Sequence, residues 1–109
     1  MRFLYLWNNV AGKTCFGITS NVDNRRRKYE GHNGFAVEFT HVYEGPANHI
    51  EDLENKIKGE FYEHLFHTGI GKYEWINETV DKEQVVGWIN WEIENTYQGM
   101  IKEMPLLKP

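Results

Sequence analysis

FLYLWNNVAGKTCFGITSNVDNRRR, from Phe3 to Arg27, is the stretch whose reading decides the fold. Phe3, Tyr5 and Trp7 alternate with Leu4 and Leu6, so a strand over residues 2–8 has two apolar faces and belongs in the middle of a sheet. Asn8-Asn9 and Ala11-Gly12 supply turn chemistry, and residues 13–19 form the returning strand of a hairpin. Ser20-Asn21 offers side-chain oxygens to start a helix over 22–31, with Asp23 in its first turn. That helix carries Arg25, Arg26, Arg27 and Lys28 in succession. Two short strands feeding a helix that begins with cations make a cradle for a phosphate.

Downstream, Phe35 to Tyr43 alternates as a third strand until Gly45-Pro46 breaks it. Ile50, Leu53, Ile57, Phe61 and Leu65 recur at three- and four-residue intervals, which predicts a second helix from about Asn48 to His67. At roughly 100° per residue, Glu54 and Glu60 fall inside the two margins of that stripe. Tyr73-Glu74-Trp75-Ile76 reads as a short strand. Asp81 opens a third helix that reaches Met104 on the spacing of Val86, Ile89, Ile93, Tyr97, Met100 and Met104. The order is ββαβα, then a short strand and a long helix. This predicts one α/β (α+β) domain over residues 1–109, with a core at 2–80, the last helix at 81–104 and a small antiparallel or mixed sheet of about three strands flanked by helices.

The 109 residues suffice for one core without staples, and 40% hydrophobic with 15% aromatic content is globular. A lone cysteine, Cys15, excludes an internal disulfide framework and a cysteine-based zinc site. No apolar run approaches a membrane span and the start lacks signal-peptide architecture, so a cytoplasmic protein is expected. The net charge of −4 disfavours a broad nucleic-acid surface, yet the cations concentrate at residues 25–28 with Lys13 nearby, while acid gathers at 51–63 and 74–94. One basic face on an acidic body predicts localised nucleic-acid binding. The five histidines show no zinc-ligand spacing.

The spacing resembles that of the GIY-YIG nuclease superfamily, in its phage-associated branch. Phe3-Leu4-Tyr5 stands where GIY would stand and Cys15-Phe16-Gly17 where YIG would, with only the last residue of each triplet matching. Arg25 follows Gly17 by eight residues, as the superfamily arginine does. Leu53-Glu54 precedes Ile57 and Phe61 as the superfamily glutamate precedes its apolar stripe, and Glu74-Trp75 resembles a glutamate-aromatic pair of the phage branch. The resemblance covers residues 2 to 80. It implies a phosphodiester hydrolase acting on DNA in preference to RNA with one Mg²⁺ or Mn²⁺. Tyr5 would be general base, Arg25 transition-state stabiliser and Glu54 metal ligand. Gly17, Arg26, Arg27, Lys28 and His32 would lie against substrate.

Cys15 takes the place of the second motif tyrosine, which removes one hydroxyl. Lys13, two residues earlier on the same strand face, is the candidate substitute for it as a proton-network or phosphate group. As a nucleophile Cys15 is disfavoured, because a strand cysteine usually serves as packing. The rival reading is a catalytically weak or inactive module on the same scaffold, which sequesters nucleic acid or inhibits a host nuclease. The last helix places Trp91 opposite its apolar face with Trp88 on the flank, which points either to a homodimer or partner contact through that helix or to the Trp75 segment or the Leu106-Leu107 tail folding back over it.

Overall fold

The computed structural model describes residues 1–8, 12–33, 37–67 and 74–105. Strands β1 (Arg2–Asn8) and β2 (Thr14–Thr19) are followed by helix α1 (Val22–Asn33), strand β3 (His41–Gly45) and helix α2 (Ala47–Glu60). A 3-10 turn (Tyr62–His64), β4 (Leu65–His67), β5 (Glu74–Ile76), α3 (Lys82–Asn95) and β6 (Lys102–Glu103) complete the order. The six strands form one sheet in the order β4-β5-β2-β1-β3-β6, with antiparallel pairing throughout. β1 is central, as its two apolar faces require.

Those faces build two separate cores. Leu4, Leu6 and Phe16 pack with Ile50, Leu53 and Ile57 of α2 and with Val85 and Ile89 of α3. Tyr5, Trp7 and Cys15 pack on the opposite side with Tyr29 of α1, Val37, Phe39 and Trp75. The result is three layers, with α1 on one side of the sheet and α2 and α3 on the other. Helix α1 is polar nearly all round and, among its described side chains, buries only Tyr29, so that ring is its main anchor.

Four expectations change. The sheet has six strands rather than about three, because β4, β5 and β6 add two- or three-residue pieces towards its two ends. The third strand begins at His41, not Phe35: the Val37 amide donates to the Glu30 carboxylate at 3.1 Å, while Val37 and Phe39 fill the α1-side core. Thr40 then joins β1, its amide donating to the Leu6 carbonyl at 2.8 Å. Helix α2 ends at Glu60 instead of continuing to His67, with Phe61 as a buried C-cap and Leu65 already paired to Ile76.

The last helix stops at Asn95. Gln98 and Gly99 both take positive φ, 48° and 85°, which turns the chain where an α-helix would continue. Tyr97 and Ile101 still reach the core, and the chain then pairs with β3 as β6. Met100, expected on the buried face, is 54% exposed. At the start of α3 the expected cap is present: the Glu83 amide donates to the Asp81 side chain at 3.0 Å. No helix among the described residues is long and apolar enough to cross a membrane.

Candidate active site

The cross-strand register sets Tyr5 opposite Gly17. A Cβ at position 17 would lie 2.7 Å from the Tyr5 Cζ and closer still to its hydroxyl oxygen. Gly17 is therefore the space that the Tyr5 hydroxyl occupies. Gly17→Ala is expected to displace the ring, with a stability loss of about 1–3 kcal/mol from overpacking in chemical denaturation. The same variant should lose the chemistry of the Tyr5 hydroxyl.

Above the Tyr5 ring Phe39 is stacked, with centroids 4.6 Å apart at 19°. Tyr29 crosses it edge-on, and the two hydroxyl oxygens are 2.7 Å apart. The Tyr29 hydroxyl also lies 3.4 Å from the Cys15 Sγ. Tyr29, from α1 packed over this face of the sheet, places a second phenol next to the first inside the same core.

Arg25 precedes Tyr29 by one helical turn on the same face of α1, half-buried, and its guanidinium acts electrostatically on the Tyr5 hydroxyl. Asn21 holds this register by capping α1, accepting from the Asn24 amide at 3.1 Å, and the Thr19 hydroxyl braces the turn before it. Arg26 is engaged elsewhere: its Nη1 contacts both Glu30 oxygens at 3.3 Å, and Glu30 ties α1 to Val37. Arg27 and Lys28 are exposed on the outer face of α1. The His32 side chain lies outside the described residues.

Burial pushes the Tyr5 hydroxyl up to about 12; the hydrogen bond with Tyr29 pulls down, Cys15 pushes up, and the Arg25 guanidinium pulls down. Burial drives Tyr29 higher still, with Cys15 and Tyr5 adding to it. Within the pair, Tyr5 is the phenol that gives up its proton first. Tyr43 and Tyr97 are raised as well, chiefly by burial, and Tyr97 donates to Asp52 at 2.5 Å. A raised folded-state value means stability is intact below the unfolded phenol's value of 10.0 and falls as pH rises beyond it. Each such tyrosine contributes a loss of about 1.4 kcal/mol per pH unit above that point. Circular dichroism should therefore show cooperative alkaline unfolding that begins above pH 10, and Tyr29→Phe should shift it upward.

The remaining candidates lie apart from this group. Lys13 precedes β2, four residues from Gly17, which is about 13 Å along an extended strand. It lines a shallow polar depression with Glu63, His64 and Asn77. Glu54 sits on the flank of α2, in the layer across the sheet from Tyr29, with its side chain 18% exposed and one oxygen 3.5 Å from the Lys58 Nζ. The expected partial burial of Glu54 is present, whereas Glu60 is exposed. Among the described residues, no three His, Cys, Asp or Glu side chains group as a metal site.

Tyr29 is the member of this cluster that strand spacing passes over. Its signal is nonetheless in the sequence: it stands four residues after Arg25, hence on the same helical face, and is the one aromatic in a helix of polar residues.

A central strand tyrosine in contact with a buried helix phenol and a half-buried arginine, on a three-layer α/β scaffold, defines a small domain with a polar cluster built under a cationic helix. Residues 3–92 match the T5orf172 domain, and the chain belongs to that family. The family is phage-associated and met in nuclease-like settings. No curated protein and no solved structure matches the chain significantly.

Proposed function

We propose that the protein is a phosphodiester hydrolase acting on nucleic acid, with DNA preferred to RNA, on a scaffold related to the GIY-YIG nucleases. The observation that carries this reading is the Tyr5–Tyr29–Arg25 cluster. It sets a phenol that is the more acidic of a hydrogen-bonded pair beside a cation suited to phosphate. Arg25 forks onto the scissile phosphate and offsets the charge that grows as phosphorus becomes five-coordinate. Tyr5 accepts or polarises the proton of the attacking water, and Tyr29 holds its oxygen in place. Gly17 keeps that oxygen close to the strand backbone. Arg27 and Lys28, with Arg26 on the margin, attract the backbone electrostatically.

Glu54 is the residue the resemblance would give to a single Mg²⁺ or Mn²⁺, an ion that would supply Lewis-acid stabilisation of phosphate charge. Its carboxylate contacts Lys58 in the layer across the sheet from the Tyr5–Tyr29–Arg25 cluster, so it does not fit an ion shared with that cluster, and the chemistry proposed here rests on the cluster alone. Lys13, just before β2 and about 13 Å from Gly17, would contact the nucleic-acid backbone rather than partner Tyr5.

The test is divalent-ion-dependent nicking of supercoiled plasmid and of single-stranded substrates. Glu54→Gln, across the sheet from the cluster, is expected to fold normally, to melt unchanged or higher in the absence of metal and to keep cleaving. Loss of metal-dependent cleavage by that variant returns Glu54 to the site. Binding without cleavage by the wild type leaves the non-catalytic module, which the net charge of −4 favours.

A further inference from the structure

The Tyr5–Tyr29–Arg25 cluster is covered in this structure. Tyr5 and Tyr29 are each 1% exposed, and Arg25 is half-buried. A phosphodiester and its attacking water must touch the Tyr5 oxygen and the Arg25 guanidinium, so both need a way in. Helix α1 is the part of the cover that is least firmly held.

Among its described side chains α1 buries Tyr29 and packs Val22 at the margin of the core, whereas α2 buries Ile50, Leu53 and Ile57 across the sheet. Much of the remaining hold is one strap. The Glu30 carboxylate accepts from the Val37 amide at 3.1 Å and pairs with the Arg26 Nη1 at 3.3 Å, in a partly exposed position. The core under α1 also carries unmet hydrogen-bonding groups. Trp7 and Trp75 cross edge-on at 5.0 Å, with Tyr29 against Trp7, yet neither indole N–H has an acceptor among the described residues. A buried donor without an acceptor is costly, and water would satisfy both donors once α1 moved. Few groups hold the closed state, and two of the groups it buries favour opening.

We propose that α1 is a gate. It comes away from the sheet while the α2–α3 core stays intact, and nucleic acid reaches Tyr5 in that open state. Segments with few buried apolar contacts open at a lower free energy than the whole domain does. A ligand shifts such an equilibrium only through better contact with one of the two states. Arg25 supplies that difference, because opening frees a half-buried guanidinium for a phosphate, whereas Arg27 and Lys28 are exposed already. The gate rests on the hydrolase reading for its purpose, but its opening is measured without cleavage.

Cys15, the one thiol of the chain, reports on the gate, since it is fully buried beneath α1 with its Sγ 3.4 Å from the Tyr29 hydroxyl. The experiment follows labelling of Cys15 by an aromatic disulfide reagent in native buffer and in rising denaturant. Labelling is expected to run well ahead of global unfolding and to be insensitive to low denaturant. Glu30→Ala, which cuts the strap, should accelerate it roughly tenfold. Ile57→Val weakens the other core, so it should lower the melting temperature and leave native labelling unchanged. A short single-stranded oligodeoxynucleotide, or its duplex, should accelerate labelling of the wild type and not of Arg25→Ala. Labelling that tracks global unfolding, acceleration by Ile57→Val in step with its lost stability, or bound nucleic acid that leaves labelling unchanged or slower each overturns the gate. Acceleration by nucleic acid without any cleavage upholds the gate and removes the hydrolase reading.

Discussion

Tyr5→Phe is expected to fold as the wild type does and to cleave nucleic acid roughly 10²–10⁴-fold more slowly, the range a positioned acid–base group supplies. The substitution keeps the ring that stacks on Phe39 at 4.6 Å and removes only the oxygen that lies 2.7 Å from Tyr29. Packing is preserved, so melting should change by no more than the net worth of one hydrogen bond, about 0.5–1.5 kcal/mol. Nucleic-acid affinity should also hold, since the cations of α1 are untouched. The variant's pH profile adds a second readout. With the hydroxyl at about 12, wild-type turnover should climb through the neutral and mildly alkaline range as the phenol ionises more readily. Tyr5→Phe should flatten that climb. Cys15→Ser, which keeps a polar hydrogen beside Tyr29, should cut at close to the wild-type rate. Thiol-directed inactivation together with an active Tyr5→Phe would move the chemistry from the phenol to Cys15.

Arg25→Ala is expected to lower turnover by about 10²–10³-fold while weakening binding only slightly, because its guanidinium acts where charge develops in the transition state. Arg27→Ala and Lys28→Ala should behave differently. Both side chains are exposed on α1, so their loss should weaken binding in a salt-dependent way and reduce the salt slope by about one each. Arg26→Ala should show a structural effect as well, since Arg26 pairs with Glu30 and Glu30 anchors Val37. Loss of that pair should lower melting modestly, in line with a half-exposed helical ion pair. Equal, binding-only losses at 25, 26 and 27 would support a sequestering module and count against an enzyme.

How much of this was legible in the chain follows from the range of each interaction. The central strand declared itself because Leu4, Tyr5, Leu6 and Trp7 are apolar on both faces, and only an interior strand buries both. The α2 stripe was clear because Ile50, Leu53 and Ile57 repeat at helical spacing, and all three are fully buried. Arg25 was singled out by local spacing alone. What spacing could not give was information held in tertiary pairing. Edge strands of two or three residues carry no period to read, so β4 and β6 emerged only with their partners. The apolar spacing of Tyr97 and Met100 continued the last helix on paper, yet the chain turns at Gln98 and Gly99.

The site divides the same way. That Gly17 makes room for Tyr5 depends on a cross-strand register that only pairing defines. That Tyr29 meets both Tyr5 and Cys15 depends on α1 lying over that face of the sheet. Glu54 lies at the buried margin the stripe implied, though in the layer across the sheet from Tyr29.

The most direct test of the central claim is a plasmid-nicking time course in Mg²⁺ with wild type, Tyr5→Phe and Arg25→Ala at equal, verified-folded concentrations. The account expects supercoiled DNA to be converted to nicked circles by the wild type, with both variants slowed by at least about a hundredfold. Equal conversion by all three proteins, or none by the wild type while it still binds the plasmid, would contradict it.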